Sequence, residues 1–341
     1  MRQNYIMITL LCLILISNLG IAAALFLQRQ EPPAAAAVQV VTATPPASSS
    51  ASLPTATAAP LILPTVQPQP AVAAYCGKTG SIRLVVIGSD AMENRFPPGA
   101  DLIRLVKVDF DQKRVVVFAF LRDLWVTTPS LAAQDVNATT LGQVYDYGYK
   151  MGMLDSPRDD RLKVVMGTQM VAQTLYENYG VLAERYVTVK LADLPPMVDT
   201  LGGVSVNVPI VTVTDRYVFR PGVQLLNGAM TASYIRYLGP TDWDRIVRQN
   251  LVLEAARQKL LLPATTGKLP ELFMQFSNAI ITDLNAGEVA SLACVVKDSD
   301  NVKITQDGVR PEMTTAGPQK KALLLNLPAA KDLLRQLSLL P

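Results

Sequence analysis

The sequence predicts a three-layer α/β domain carried behind one membrane-spanning helix and a disordered linker. Three observations support that expectation. Short apolar, β-branched runs alternate with segments of helical periodicity from Ser81 onward, which is the pattern of helices packed on a sheet. An uncharged apolar run from Ile6 to Leu27 precedes them. Between the two lies a stretch of mainly Ala, Pro, Ser, Thr and Val.

The first run, IMITLLCLILISNLGIAAALFL, is long enough to cross a bilayer, for which a helix needs roughly 20 residues. Arg2 and the free amino group precede it and favour a cytoplasmic N-terminus, although Arg29 on the far side makes that bias small. A cleaved signal peptide with Ala22 to Ala24 as its small-residue site is the competing reading. The apolar run is longer than a usual signal core, so a retained anchor is favoured. Either way the remainder is exported, and the expected location is the cell membrane, crossed once, with the main domain extracytoplasmic.

From Glu31 to about Tyr75 no periodic apolar face exists and the prolines stop helices from growing. At coil dimensions such a spacer spans roughly 40 Å. The folded part opens with Ile82 to Gly88 as a buried strand running into Gly-Ser-Asp. Leu102 to Asp109 and Arg114 to Leu121 follow as a hairpin across Asp-Phe-Asp-Gln-Lys. Leu162 to Tyr179 reads as a helix closed by Gly180. Arg185 to Leu191 is a strand, Ala192 to Leu201 a helix and Gly203 to Val208 a strand. Asp242 to Leu262 is a long helix with one apolar stripe through Trp243, Ile246, Val247 and Leu251. Helices at about Leu269–Ser277, Ala286–Val296 and Ala329–Leu337 close the chain. The expected divisions are residues 1–30 (cytoplasmic tip and anchor), 31–75 (linker), 76–265 (main domain) and 266–341 (a helical extension packed on it).

Composition narrows the chemistry. The 341 residues contain no histidine, so a Ser-His-Asp triad, a Cys-His pair and a histidine zinc site are excluded. Of three cysteines, Cys12 lies in the apolar run, while Cys76 and Cys294 pair in an oxidising compartment or remain two unrelated thiols. A net charge of +3 over this length gives no reason to expect nucleic acid as a partner. Carboxylates, cations, hydroxyls and a hard metal remain.

Three constellations offer such groups. Asp90 and Asp101 flank a loop between two strands, where a pair of carboxylates suits Mg²⁺ with water and phosphate oxygens, or simply caps the loop. Arg122-Asp123 ends an apolar strand, where the arginine clamps a phosphoryl oxygen or makes a local ion pair. In the third, Tyr234-Ile235-Arg236 precedes Asp242-Trp243-Asp244-Arg245-Ile246-Val247-Arg248-Gln249. Asp242, Arg245 and Gln249 share one helix face, with Arg248 beside them, at a helix start whose dipole favours an anion. The competing reading is a solvated face with i, i+3 salt pairs.

Taken in order, these pieces resemble the LytR-CpsA-Psr family of bacterial cell-envelope proteins. Gly88-Ser89-Asp90 looks like its opening motif, Asp101 its second aspartate, and Leu121-Arg122-Asp123 its Pro-Arg-Asp segment. Asn137 followed by a short Tyr-rich helix resembles its Asn-Ala segment. Leu201-Gly202-Gly203-Val204-Ser205-Val206-Asn207-Val208-Pro209 is similar to the family's most recognisable stretch. Pro221-Gly222, Leu226-Asn227-Gly228, Tyr234-Ile235-Arg236 and Asp242 to Gln249 complete the series, so the likeness covers about Ser81 to Leu262.

The resemblance implies a mixed central sheet flanked by helices and a hydrophobic tunnel for a polyprenyl chain. It implies transfer of a glycan phosphate from a polyprenyl-pyrophosphate lipid to a peptidoglycan hydroxyl, with Mg²⁺ on Asp90 and Asp101. Arg122, Arg236 and Arg245 would hold pyrophosphate oxygens, with Asp242, Gln249, Arg248 and Asp123 as further substrate-binding groups. The chain departs from the pattern at Gly99, Leu102, Asp135 and Leu238, three of which replace cations of the family. A catalytically weak module that binds polyprenyl-phosphate lipids or wall glycans is therefore the alternative. Arg95 and Arg104 are the nearest candidates to compensate.

Overall fold

The computed structural model describes residues 74–90, 99–239, 241–262, 265 and 279–340. The expected anchor, nearly all of the linker, Arg95 and the helix at 269–277 lie outside the described residues.

The elements run β1 (Ser81–Asp90), β2 (Gly99–Asp109), β3 (Arg114–Phe120), β4 (Trp125–Thr127), β5 (Ala138–Thr140), α1 (Leu141–Asp155) and α2 (Asp160–Tyr179). Then come β6 (Arg185–Lys190), α3 (Leu194–Thr200), β7 (Val204–Val208), β8 (Thr212–Val213), β9 (Val218–Phe219), β10 (Gly222–Leu226), α4 (Gly228–Arg236) and α5 (Asp242–Leu261). The chain closes with β11 (Ile280–Thr282), α6 (Ala286–Lys297), β12 (Lys303–Gly308), β13 (Thr314–Ala316), β14 (Leu323–Leu325) and α7 (Leu327–Gln336).

Six strands form the central sheet in the order β11-β6-β1-β2-β3-β12. β1–β2, β2–β3 and β6–β11 are antiparallel, while β1–β6 and β3–β12 are parallel, so the sheet is mixed. Alternation along β1 explains why it sits at the centre. Leu84 and Val86 enter one core with Val106, Val108, Met197, Leu292 and Leu260, so α3, α5 and α6 cover that face. Val85 and Ile87 enter the other with Tyr145, Val171, Leu175 and Leu334 from α1, α2 and α7. Each such fully buried aliphatic side chain contributes roughly 1.5–3 kcal/mol. A third, smaller core joins the β7–β10 pair to α4 and the middle of α5.

The stretch after residue 265, expected as a helical extension, instead supplies both edge strands of the sheet, β11 and β12. The disulfide Cys76–Cys294 ties the start of the domain to α6 across a sequence separation of 218, which decides between the two readings left open for those thiols. Losing a bridge over so long a loop typically costs about 2–5 kcal/mol.

Candidate functional site

At the β1 and β2 ends that approach α5, the β1–β2 ladder contains a bulge. Gly88 pairs with Leu102 and Ser89 with Ala100, so Asp101 is the extra residue between them. A bulge reverses the in–out alternation beyond it. Accordingly Leu102 and Val106 belong to one core, whereas Ala100, also even-numbered, belongs to the other. The Asp101 carboxylate is thereby re-aimed toward the arginines of α5 and the β3 exit.

Arg122 leaves β3 in a segment fixed from both sides. The first backbone N–H groups of α1, from Leu141 and Gly142, donate to Leu124 O and Arg122 O at 2.8 Å each. These are groups that a helix start otherwise leaves unpaired. Gly142 suits the close approach there, because a Cβ would lie 3.0 Å from both Ala100 O and Arg122 Cβ. From the other side, Arg122 N–H donates to Asp242 Oδ2 at 3.2 Å. The Arg122 guanidinium then pairs with Asp101 through Nη1 and, at 3.3 Å, with Asp123 through Nε. Burial works against that charge, but Asp101 and Asp123 outweigh it and hold the Arg122 pKa above its ordinary value.

α5 begins with a capping box in which Thr241 and Asp244 satisfy each other's backbone N–H groups. That fixes Asp242 in the first turn. Arg245, one turn on and 1% exposed, pairs with Asp242 through Nη2 and lies 3.5 Å from Asp101 Oδ1 through Nη1. Burial raises the Asp242 pKa against the opposing pull of Arg245, and it lowers that of Arg245. Gln249 donates to Asp101 O at 3.5 Å. Arg236, the last residue of α4, lies 3.3 Å from Asp90 Oδ1 at the end of β1.

The structure thus gathers Asp90, Asp101, Arg122, Asp123, Arg236, Asp242, Arg245 and Gln249. Three guanidiniums face four carboxylates in these pairs, so the cluster by itself carries one negative charge in excess. Arg248, expected among the substrate-binding groups, is used elsewhere. Its Nε donates to Tyr234 O at 3.0 Å and its Nη2 to Tyr237 O, with the guanidinium over the Tyr237 ring. It braces the turn from α4 into α5, where Gly239 adopts φ +63.

Beside the cluster lies an apolar cavity of about 800 Å³ including its open mouth. Val86, Gly88, Leu102, Met197 and Ile235 line one part, and Gln249, Val252, Leu253 and Ala256 of α5 line another. The single apolar stripe expected on α5 is therefore divided. Trp243 and Ile246 pack at the helix start, and a different set of side chains faces the cavity.

The departures noted in the sequence are also placed. Asp135 sits exposed in a left-handed turn, and Leu238 is 43% exposed. Leu238 lines a cleft with Arg122, Asp123, Asp242 and Lys321. Sequence reasoning missed Lys321. It reaches this cleft because Leu323 N–H donates to Asp123 O at 2.9 Å and so docks the β13–β14 hairpin on the Arg122 segment. Arg104 forms no ion pair with the aspartates among the described residues; its Nη2 donates to Asn250 Oδ1 at 2.9 Å, and Asp242 acts on its charge from nearby.

Comparison with known proteins agrees with this architecture. The sequence model of the LytR_cpsA_psr family matches residues 54–325. A protein of Enterococcus faecalis named polyisoprenyl-teichoic acid--peptidoglycan teichoic acid transferase TagU is 25% identical over 211 residues, 61% of this chain. The match spans 62% of that relative's own length. The crystal structure of B. subtilis TagV superposes with a TM-score of 0.58 at 19% identity, over 77% of this chain and all of TagV. TagT bound to LIIa-WTA superposes with a TM-score of 0.53 at 16% identity, over 76% of this chain and 91% of TagT.

Proposed function

The chain belongs to the LytR-CpsA-Psr family, and on that premise we propose that it moves a glycan phosphate from a polyprenyl-pyrophosphate lipid to a peptidoglycan hydroxyl. One observation carries this reading. A single helix, α5, presents Asp242, Arg245 and Gln249 to the ionic cluster and then Val252, Leu253 and Ala256 to the apolar cavity. A ligand that satisfies both must be an oxyanion joined directly to a long hydrocarbon. The name of the E. faecalis relative and the ligand of the TagT structure support the same choice.

In this reading Arg122, Arg236 and Arg245 bind pyrophosphate oxygens by exchanging part of their contact with aspartates for contact with the lipid. Asp242 holds Arg245 and the Arg122 backbone in place, Asp123 orients Arg122, and Gln249 sits where head and tail meet. An acceptor oxygen forms its bond to the glycan-side phosphorus while the bond from that phosphorus to the bridging oxygen breaks. Polyprenyl phosphate leaves, and the hydroxyl proton passes to water. Catalysis here is mostly positioning and charge neutralisation, as in other phosphoryl transfers.

The donor set fits a hard cation. Asp90 and Asp101 are two buried carboxylates on adjacent strands, and Mg²⁺ is commonly held by one or two carboxylates plus substrate oxygens. When bound, it would supply the positive charge that an arginine–aspartate cluster with one excess negative charge lacks. The run from Ile6 to Leu27 supports a membrane anchor, and the Cys76–Cys294 bridge supports an oxidising, extracytoplasmic setting.

The test uses the full-length chain in detergent with a polyprenyl-pyrophosphate-linked glycan and peptidoglycan, with and without Mg²⁺, following polyprenyl phosphate release. Metal-dependent release that disappears in Asp101→Ala and Arg122→Ala is expected. Tight lipid binding with no release would replace the transferase by a binding module.

A further inference from the structure

The apolar cavity occupies one flank of α5. Its other flank, formed by Trp243, Ile246, Val247 and Asn250, faces a second cleft of about 700 Å³ including its mouth, closed by β3, β12 and the turn after β12. The polar groups of this cleft are Arg104, Asn250, Gln306, Asp307 and Arg310. The same Trp243 lines the cleft that holds Arg122, Asp123 and Asp242, so the two clefts meet at this one side chain.

Arg104 is the unusual member. It lies in the middle of β2, where a strand between two cores normally carries an aliphatic residue, and it is 3% exposed. A guanidinium has five N–H donors, and Asn250 Oδ1 accepts from one of its nitrogens. Among the described residues no carboxylate forms an ion pair with it, in contrast to Arg122, Arg236 and Arg245. Burial lowers its pKa to about 10 against the opposing pull of Asp242, which leaves it charged at neutral pH. A buried cation of this kind costs stability unless something in the cleft answers it.

The transfer chemistry says what that ligand is. Attacking and leaving oxygens lie roughly in line across the reacting phosphorus. If the polyprenyl phosphate departs on the cavity flank of α5, the acceptor approaches from the opposite side, and this cleft lies on the other flank of the helix. We propose that the cleft between α5 and β12 binds the acceptor glycan, and that Arg104 takes a carboxylate borne by that glycan. The proposal rests on the transferase reading. Arginine is suited to the task because its fork matches a carboxylate with two parallel hydrogen bonds. Gln306 and Asn250 supply amides for sugar hydroxyls, and the Trp243 ring supplies an apolar wall.

The chain has two tryptophans, so Trp125→Phe leaves Trp243 as the sole indole and a direct reporter of the cleft. In that background, the full-length chain in detergent is titrated with a muropeptide, N-acetylmuramic acid, N-acetylglucosamine and inorganic pyrophosphate, following Trp243 fluorescence. Saturable binding of the muropeptide or of N-acetylmuramic acid is expected, and which of them binds tells whether the carboxylate is the peptide's or the sugar's. Arg104→Met should weaken that binding at least tenfold, and Arg104→Lys should restore part of it. Affinity for pyrophosphate should stay within about twofold in all three proteins, which separates failure at this cleft from failure of the ionic cluster. If Arg104→Met does not fold, Gln306→Ala on the cleft wall should weaken glycan binding alone. Glycan binding that is absent, that is unchanged in both variants, or that is as tight for N-acetylglucosamine as for the acids would overturn the proposal.

Discussion

The first turns of α5 and the turns that follow are built by opposite rules. From Asp242 to Gln249 the helix buries charges, with Arg245 among the largest fully buried side chains of the molecule. From Val252 to Ala256 it presents small and aliphatic residues to an apolar cavity. The apolar half gains free energy by leaving water. The ionic half gains little, because desolvation offsets most of the attraction within a buried pair. A helix that keeps such a cluster at one end keeps it for binding, and the adjoining cavity indicates that the ligand continues as hydrocarbon.

Breaking the ionic half should give the largest effect. Arg245→Met leaves Asp242 buried without its partner, so we expect roughly 3–5 kcal/mol of destabilisation in chemical unfolding, together with loss of turnover. Arg122→Ala separates function from stability more cleanly. Its side chain is 18% exposed, and we expect turnover to fall about 10²–10³-fold while the unfolding midpoint moves little. An equal fall in stability and turnover would make Arg122 a structural residue.

Filling the apolar half should act on the other end of the ligand. Val252→Trp, directed into the cavity, should raise KM for a long-chain lipid about tenfold, in line with the roughly 1–3 kcal/mol typical of overpacking. A water-soluble short-chain donor should be handled as before. The smallest effect is a pH shift. Because burial raises the Asp242 pKa above its ordinary 3.8, its proton is lost at a higher pH than from a free carboxylate. The sign follows: the protonated form is favoured in the fold, so this group's stabilising contribution is present at low pH and lost as pH rises through the raised pKa. Activity, which needs the ionised Asp242 to hold Arg245, should therefore fall on the acid side, and Asp242→Asn should be weakly active with that limb absent.

The same comparison explains what was legible in the sequence. The ends of α2 and α5 could be read because local chemistry marks them, with Gly180 in a left-handed turn after one and the Asp-rich start of the other. β1 and β3 could be read because burial on both faces makes them continuous apolar runs. β12 could not. Its sequence, KITQDG, has no apolar alternation, and its place beside β3 comes from long-range parallel pairing. Eight of the nine expected site residues gather, since helical spacing puts Asp242, Arg245 and Gln249 on one face. Spacing does not say which neighbour a side chain meets, and so it did not show that the carbonyls of Tyr234 and Tyr237 hold Arg248. Nor does it reveal the bulge that aims Asp101, or the hairpin that carries Lys321 to the cleft.

The most direct test of α5 as the reader of a single amphiphile is a binding comparison on the full-length chain. Affinities for a polyprenyl pyrophosphate and for inorganic pyrophosphate would be measured in the native chain, Arg122→Ala and Val252→Trp. If head and tail share one ligand, Arg122→Ala weakens both and Val252→Trp weakens the lipid alone. Lipid binding that is unchanged in Val252→Trp would contradict it, and the ionic cluster and the cavity would then serve different ligands.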